Sequence, residues 1–407
     1  MADERDTRPA RDEPVRKPAN DCANILLVVP TLDAGAADFG TLDLARTLVG
    51  AGYRATVVSQ GGRLEPALAA AGGEFVRLDT ASKNPFTMLR NAARLVRVVR
   101  ERKCRVVHAH GRAPAWSAYV AARLTRVPFV TTWYKGFREQ NPLKHIYNGI
   151  MARGDRVIAP SDQIAEIIIE RHGTAAERIS IVPSGIDLEH YDPANSSPEK
   201  IAQVLHGWGV TGETKVIYVV GRLLRRKGHH VVVRAVRRLK DMGVKDFLCV
   251  FAGEDQGRTR YTGELWDLVL ATGTADVVRL VTPVEDRAAA YAAATVVVSA
   301  SVQPEGLQRA ILEGLAMARP VIVSDLAAGP DVVLAPPAVP EDRMTGLRCP
   351  AGDDAALAAC LIRLFSMPET ARRGMGMRGR EWVMSHFNAA RSAEKMLAVY
   401  ADLLGPR

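Results

Sequence analysis

VVVSASVQPEGLQRAILEGLAMARPVIVSD, residues 296–325, places a loop and a helix-like stretch between two β-branched runs. Val296–Ser299 and Pro320–Ser324 read as short buried strands, and Gln308–Ala318 reads as the helix that joins them. A strand, a helix and a strand in succession make a parallel pair, since parallel neighbours need a long crossover. The loop carries Glu305 and the helix carries Glu313, about two turns deeper. Ile311, Leu312, Leu315 and Ala316 flank Glu313, so its surroundings read as mostly apolar. A buried carboxylate beside a loop acid suits a ligand rich in hydroxyls. Two surface acids, one of them favouring the helix dipole, suit the same spacing.

The alternation extends over the whole chain. Strands are expected at Ile25–Val29, Ala55–Ser59, Phe75–Leu78, Val106–His108, Phe129–Thr132, Arg156–Ala159 and Ile179–Val182, then again at Val216–Val220, Phe247–Ala252 and Val277–Leu280. Helical patterns separate them, among them Gly40–Ala51, Thr87–Lys103, Gly228–Met242, Asp354–Met367, Pro368–His386 and a last one at Ala390–Leu404. Apolar strands between helices imply parallel sheets covered on both faces, a doubly wound α/β design. Two such series follow one another, with DPANSSPEK (Asp192–Lys200) reading as the linker between them. The expected layout is a tail at 1–20, a first Rossmann-like domain at 21–193 and a second at 194–386, with the last helix, 387–407, returning to the first. Two such domains in series face each other across a cleft where ligands bind at the carboxyl ends of the strands.

Composition narrows the function. The 407 residues suffice for two cores. Five scattered cysteines show no metal-ligand or disulfide spacing, which fits a reducing cytoplasm. The charged, Pro-containing first twenty residues read as a disordered tail, neither a signal peptide nor a membrane span. Residues 51–150 hold 17 Lys and Arg against 5 Asp and Glu, exceeding by themselves the +9 of the chain. A polyanionic partner follows: nucleic acid, an anionic membrane surface or a phosphorylated substrate. Arg90, Arg94 and Arg97 share one helix face, which reads either as a solvated basic face or as a contact with an anionic membrane. Nucleic acid is the poorer reading, for the basic region has few aromatics and no recognised motif.

Phosphate chemistry concentrates in VVGRLLRRKGHHVVVRAV, residues 219–236. A strand ends at Val220, Gly221 turns the chain, and Arg222 and Lys227 precede a helix opening near Gly228. Loop cations beside a helix N-terminus form an anion site, although Arg225 and Arg226 also permit a plain basic turn. His108 and His110 in VVHAHGR lie at a strand end, where His110 and Arg112 open toward ligand or serve as half-buried structure. His229 and His230 are expected on the solvent side of their helix, without a role.

GRLLRRKG, the Glu305/Glu313 pair and TGLRCPAGD (residues 345–353) together resemble the family 4 glycosyltransferases. IVPSGIDLEHYDP, residues 181–193, is similar to the segment that leaves the first domain in that family. Finer likenesses, including TLDAGAADFGTLDLA and ASKNPFTMLRNAARL, resemble a bacterial subgroup assigned to lipopolysaccharide and other surface glycans. The resemblance implies a GT-B fold and retaining transfer of a sugar from a nucleotide-diphosphate donor to a glycan or lipid-linked acceptor. No cofactor or metal is expected, the enzyme being cytoplasmic or peripheral on the inner membrane face. It implies Arg222 and Lys227 on the departing diphosphate, Glu305 on the donor sugar and Glu313 on the ribose. Gly35, Gly221, Gly306, Leu307 and Gln308 would line the donor, and His110, Arg112 and Tyr134 would meet sugar or acceptor. The chain departs from the family pattern at Ala36, Tyr134, Gln308, Ala327 and Ala328, where the pattern has Gly or, at Tyr134, His. Two readings therefore stand: an active transferase with a reshaped pocket, or a paralogue that binds sugar nucleotides and assists assembly.

Overall fold

A computed structural model describes residues 23–405 apart from 34, 135–140, 211, 256, 258, 283, 304–306 and 327–328. The tail, Glu305, Gly306, Ala327 and Ala328 thus lie outside the described residues. Backbone packing divides the chain into two compact units, residues 1–130 and 131–407.

Strands β1 (Asn24–Val28), β2 (Arg54–Ser59), β3 (Glu74–Arg77), β4 (Cys104–Ala109), β5 (Phe129–Thr132), β6 (Arg156–Ala159) and β7 (Ile179–Ile181) form a sheet in the order β3-β2-β1-β4-β5-β6-β7. A second sheet has the order β10-β9-β8-β11-β12-β13, from β8 (Lys215–Val220), β9 (Phe247–Ala252), β10 (Val278–Val281), β11 (Val296–Ser299), β12 (Val321–Ser324) and β13 (Leu347–Cys349). Every pairing in the second sheet is parallel. The connecting helices up to β7 are α1 (Ala36–Gly50), α2 (Glu65–Ala70), α3 (Pro85–Glu101), α4 (Arg112–Thr125), α5 (Pro142–Gly149) and α6 (Asp162–His172). Later come α7 (Pro198–Gly207), α8 (His229–Asp241), α9 (Thr259–Ala271), α10 (Arg287–Ala292), α11 (Arg309–Ala316), α12 (Gly329–Val332), α13 (Asp354–Ser366), α14 (Glu369–His386) and α15 (Ala389–Leu404).

The alternating pattern explains why these elements form. Strands such as β9 and β11 are buried along their length, as parallel strands covered on both faces must be. One core layer packs β8, β9 and β11 under α8, α9 and α13; the other packs α10, α11 and α14 on the opposite face. Gly314 permits the tight seat of α11, since a Cβ there would stand 3.0 Å from Val297 Cγ2 of β11.

Three elements escaped the sequence reading: β13, α7 and the four-residue α12. Strand β13 is three residues long and contains Arg348, too short to show a period. The expected linker is partly helix: Ser197 caps α7 by accepting from the Lys200 N–H, with Pro198 in the first turn. The same Ser-Pro pair had signalled a loop. Asp402 of α15 pairs with Arg156 of β6. Ile186 and Asn388 form a backbone bridge there, and a Cβ on Gly185 would stand 2.3 Å from Ala389 Cα. Among the described residues no helix is long and apolar enough to cross a membrane.

Candidate active site

Each sheet reverses its strand order once, between β1 and β4 and between β8 and β11. Loops leaving the carboxyl ends of such strands diverge and leave a crevice for ligand. Gly35 and His110 in the first sheet and Gly221, Arg222, Lys227, Leu307 and Gln308 in the second stand on these loops, whereas Arg112 opens α4, Glu313 stands in α11 and Tyr134 follows β5.

In the second sheet the loop after β8 is tightly built. Gly221 has φ +149°, a region that favours glycine, and a Cβ there would lie 3.6 Å from Lys227 Cε and 3.9 Å from its Nζ. The lysine side chain therefore folds back over the loop on which Arg222 stands. Gly253 lets the strand beside it approach, since a Cβ there would meet the Gly221 carbonyl at 2.0 Å. Residues Arg225–Lys227 form a single 3₁₀ turn, closed by Gly228 at φ +74°. A Cβ on Gly228 would stand 1.7 Å from the Ala300 carbonyl oxygen, so only glycine fits. The Val302 N–H donates to the Arg226 carbonyl at 2.9 Å. These two contacts join the cation loop to the loop that runs on to Glu305. Arg225 itself turns aside to pair with Glu264 and to lie over Tyr261.

His229 corrects the sequence reading. It is 1% exposed rather than on the solvent side, and its ring meets Phe251 edge-on with centroids 5.3 Å apart. Burial, then Lys227, pull its pKa down to about 3, so it packs as a neutral ring. Its Nδ1 is buried without a hydrogen-bond partner among the described residues.

The far end of the second loop is also anchored. Ser299 Oγ donates to Gln308 Oε1, so the side chain that replaces the family's glycine is held at the end of β11. Gln308 caps α11, and Leu307 precedes it. Glu313 is 0% exposed, yet its surroundings are not apolar. Its Oε2 accepts from Arg287 Nη2 and from Tyr291 Oη, each at 2.6 Å, and Arg309 Nε stands 3.4 Å from Oε1. Burial and then the Glu313 charge raise the Tyr291 phenol well above its ordinary range, so it stays a donor. Arg287 and Tyr291 carry no local motif; they reach Glu313 only through the packing of α10 against α11.

In the first unit, the loop after β1 is drawn together by Asp38, which is 5% exposed. Its Oδ2 accepts from the Gly35 N–H at 2.7 Å and the Asp33 N–H at 3.2 Å, and its Oδ1 accepts from Thr31 Oγ1 at 3.1 Å. Ala36 opens α1 in helical conformation with its methyl exposed. At the end of β4, His108 and His110 are buried with ring centroids 4.2 Å apart. Burial pulls both pKa values down, that of His110 to about 3, so the pair is uncharged. Arg112 follows in the first turn of α4. In the second unit Tyr134 is half-buried just beyond β5, next to Trp133, whose indole N–H donates to the Met151 carbonyl at 2.9 Å. Among the described residues no three His, Cys, Asp or Glu side chains come together as a metal site.

Two doubly wound parallel sheets with such loops at their switch points define the GT-B class of glycosyltransferases. A model of "Glycosyltransferase Family 4" matches residues 39–190, and one of "Glycosyl transferases group 1" matches residues 214–367. The chain belongs to the family 4 glycosyltransferases and is an enzyme of that kind. It is 28% identical over 322 residues to a D-inositol 3-phosphate glycosyltransferase of Nocardiopsis dassonvillei, covering 74% of this chain and 71% of the relative. A crystal structure of a glycosyltransferase from Rickettsia africae superposes with TM-score 0.85 at 27% identity, over 95% of this chain and 100% of the other. Anabaena HepE, solved in complex with UDP-glucose, shares the fold at TM-score 0.80 and 18% identity, over 93% of this chain and 99% of the other.

Proposed function

We propose that this enzyme transfers a sugar, with retention of anomeric configuration, from a nucleotide-diphosphate sugar to a glycan or lipid-linked acceptor in surface-polysaccharide assembly. The observation that carries the reading is the joining of the Arg222/Lys227 loop to the chain just after β11, through Gly228, Ala300 and Val302. A phosphate held by the first loop places its attached sugar at the second. Residues 194–386 hold the donor, while 21–193 with the helix at 387–407 serve the acceptor.

In this reading Glu305 orients the donor sugar and Glu313 the ribose. The bond from the anomeric carbon to the phosphate oxygen breaks, and the acceptor oxygen bonds to that carbon on the same face. The acceptor proton passes to the departing phosphate oxygen, so no side-chain base is needed. Arg222 and Lys227 stabilise the charge that develops on the diphosphate, without a metal ion. Gly35, Gly221, Gly306, Leu307 and Gln308 line the donor, and His110, Arg112 and Tyr134 meet sugar or acceptor. The inositol phosphate named for the Nocardiopsis relative marks a hydroxyl-rich acceptor as one candidate class.

A second reading, a subunit that binds sugar nucleotides without transferring, draws on Gln308, whose anchored side chain occupies a glycine position at the α11 N-terminus. Incubation with UDP-, GDP- and ADP-sugars, with and without EDTA, separates the two. The transferase reading expects nucleotide release with at least one donor, undiminished by EDTA, and a fall of about 10²–10³ in Lys227→Ala. Binding without release in any mixture supports the second reading and defeats the first. The enzyme acts at the inner face of the cytoplasmic membrane, with Arg90, Arg94 and Arg97 of α3 toward anionic lipid.

A further inference from the structure

Glu313, the carboxylate read above as orienting the ribose, has no exposed surface of its own. Its Oε2 already accepts from Arg287 and Tyr291, and its Oε1 faces Arg309. Tyr291 is buried as deeply. The members of this cluster that reach solvent are the two arginines, whose side chains are 38% and 35% exposed. A nucleoside laid against the cluster therefore meets guanidinium groups before it meets the carboxylate.

Position supports the same reading. Arg287 is the first residue of α10, which follows the carboxyl end of β10. Arg309 is the first residue of α11, next to Gln308, and α11 follows the carboxyl end of β11. Both stand at the edge of the second sheet from which the Arg222/Lys227 loop leaves after β8, the edge where such sheets bind ligand. Because both arginines bind one carboxylate, their guanidinium groups lie close together.

Their chemistry sets what they can read. A guanidinium carries five N–H donors, no acceptor, and does not deprotonate. Guanine offers it two adjacent acceptors, O6 and N7, and uracil offers its carbonyl oxygens. Adenine places an amino group where guanine has O6, so one of the two contacts sets donor against donor.

We propose that Arg287 and Arg309 are specificity-determining residues that read the nucleobase of the donor, selecting guanine or uracil and refusing adenine. The proposal rests on the transferase reading above, which supplies the nucleotide, and adds which nucleotide is turned away.

The test measures the binding of UDP, GDP and ADP to the full chain by calorimetry. ADP is expected to bind about tenfold or more weakly than the better of the other two. Arg287→Gln and Arg309→Gln each put an amide, which accepts as well as donates, in place of a guanidinium. In at least one of them ADP should come within about threefold of the better of UDP and GDP. A side chain needed only for folding would weaken all three nucleotides alike and leave their order intact. Melting midpoints identify the folded variants, and Arg287→Lys, again a donor only, should keep the original order. ADP binding to the original chain as tightly as UDP and GDP overturns the proposal and leaves the donor reading standing. An unchanged order in both Gln variants does the same. Failure of all three nucleotides to bind defeats the donor reading itself, and the selection with it.

Discussion

Glu313 shows how much one buried carboxylate demands of its neighbours. A charge with no exposed surface persists only when paired and hydrogen-bonded, and here Arg287, Tyr291 and Arg309 supply the partners. Arg287 is 38% exposed, so solvent screens part of its charge. Arg287→Met leaves Glu313 buried and weakly paired. We expect a loss of about 2 kcal/mol in urea unfolding, below the roughly 3–5 kcal/mol of a fully buried pair. Adding Glu313→Gln should recover part of that loss, since a neutral amide tolerates burial better; a strictly additive double variant would contradict the pairing.

At the scale of elements, α3 combines properties that the sequence reading separated. Arg90, Arg94 and Arg97 lie on its outer side, and the buried side is Asn91, Ala92, Leu95 and Val99. Leu89 is 68% exposed, and Phe86 in the first turn is 85% exposed. Asn84 caps the helix by accepting from the Phe86 N–H at 2.9 Å, which starts it two residues earlier than the periodicity suggested. Exposed apolar side chains beside a basic face are what an anionic bilayer surface accommodates. Each arginine is expected to contribute about 1 kcal/mol near such a surface. In co-sedimentation with vesicles containing phosphatidylglycerol, the Arg90/Arg94/Arg97 triple-Ala chain should lose most binding. Phe86→Ser should lose part of it at unchanged salt dependence. Equal binding of all three chains would remove the membrane role.

For the molecule as a whole, three buried neutral histidines couple stability to pH. Burial holds His108, His110 and His229 below the ordinary 6.5, with His110 and His229 near 3. The unfolded chain therefore binds more protons between pH 6.5 and 3, and stability present above 6.5 is lost as pH falls through that window. Each histidine contributes a slope of up to about 1.4 kcal/mol per pH unit. Urea midpoints measured from pH 7 to 4.5 should fall steadily, and His229→Gln should flatten the slope by about one histidine's share. An unchanged slope would place the ring in solvent.

The amino-acid sequence by itself determined the parallel α/β design, because buried strands of four to six apolar residues between amphipathic helices admit few other arrangements. It also determined the local chemistry of the cation loop, since Gly221, Arg222, Lys227 and Gly228 are close neighbours in the chain. Strand order and long-range packing were decided only by the tertiary structure. The reversal between β8 and β11 brings Arg226 to Val302 and Gly228 to Ala300; the seating of α10 on α11 gives Glu313 its arginine and tyrosine. His229 was legible as a residue but not as a buried ring against Phe251, because one histidine after a glycine does not reveal which face it takes. Helix and strand periods report which side of an element is apolar, but the partner of a buried polar atom is set by whichever element packs against it.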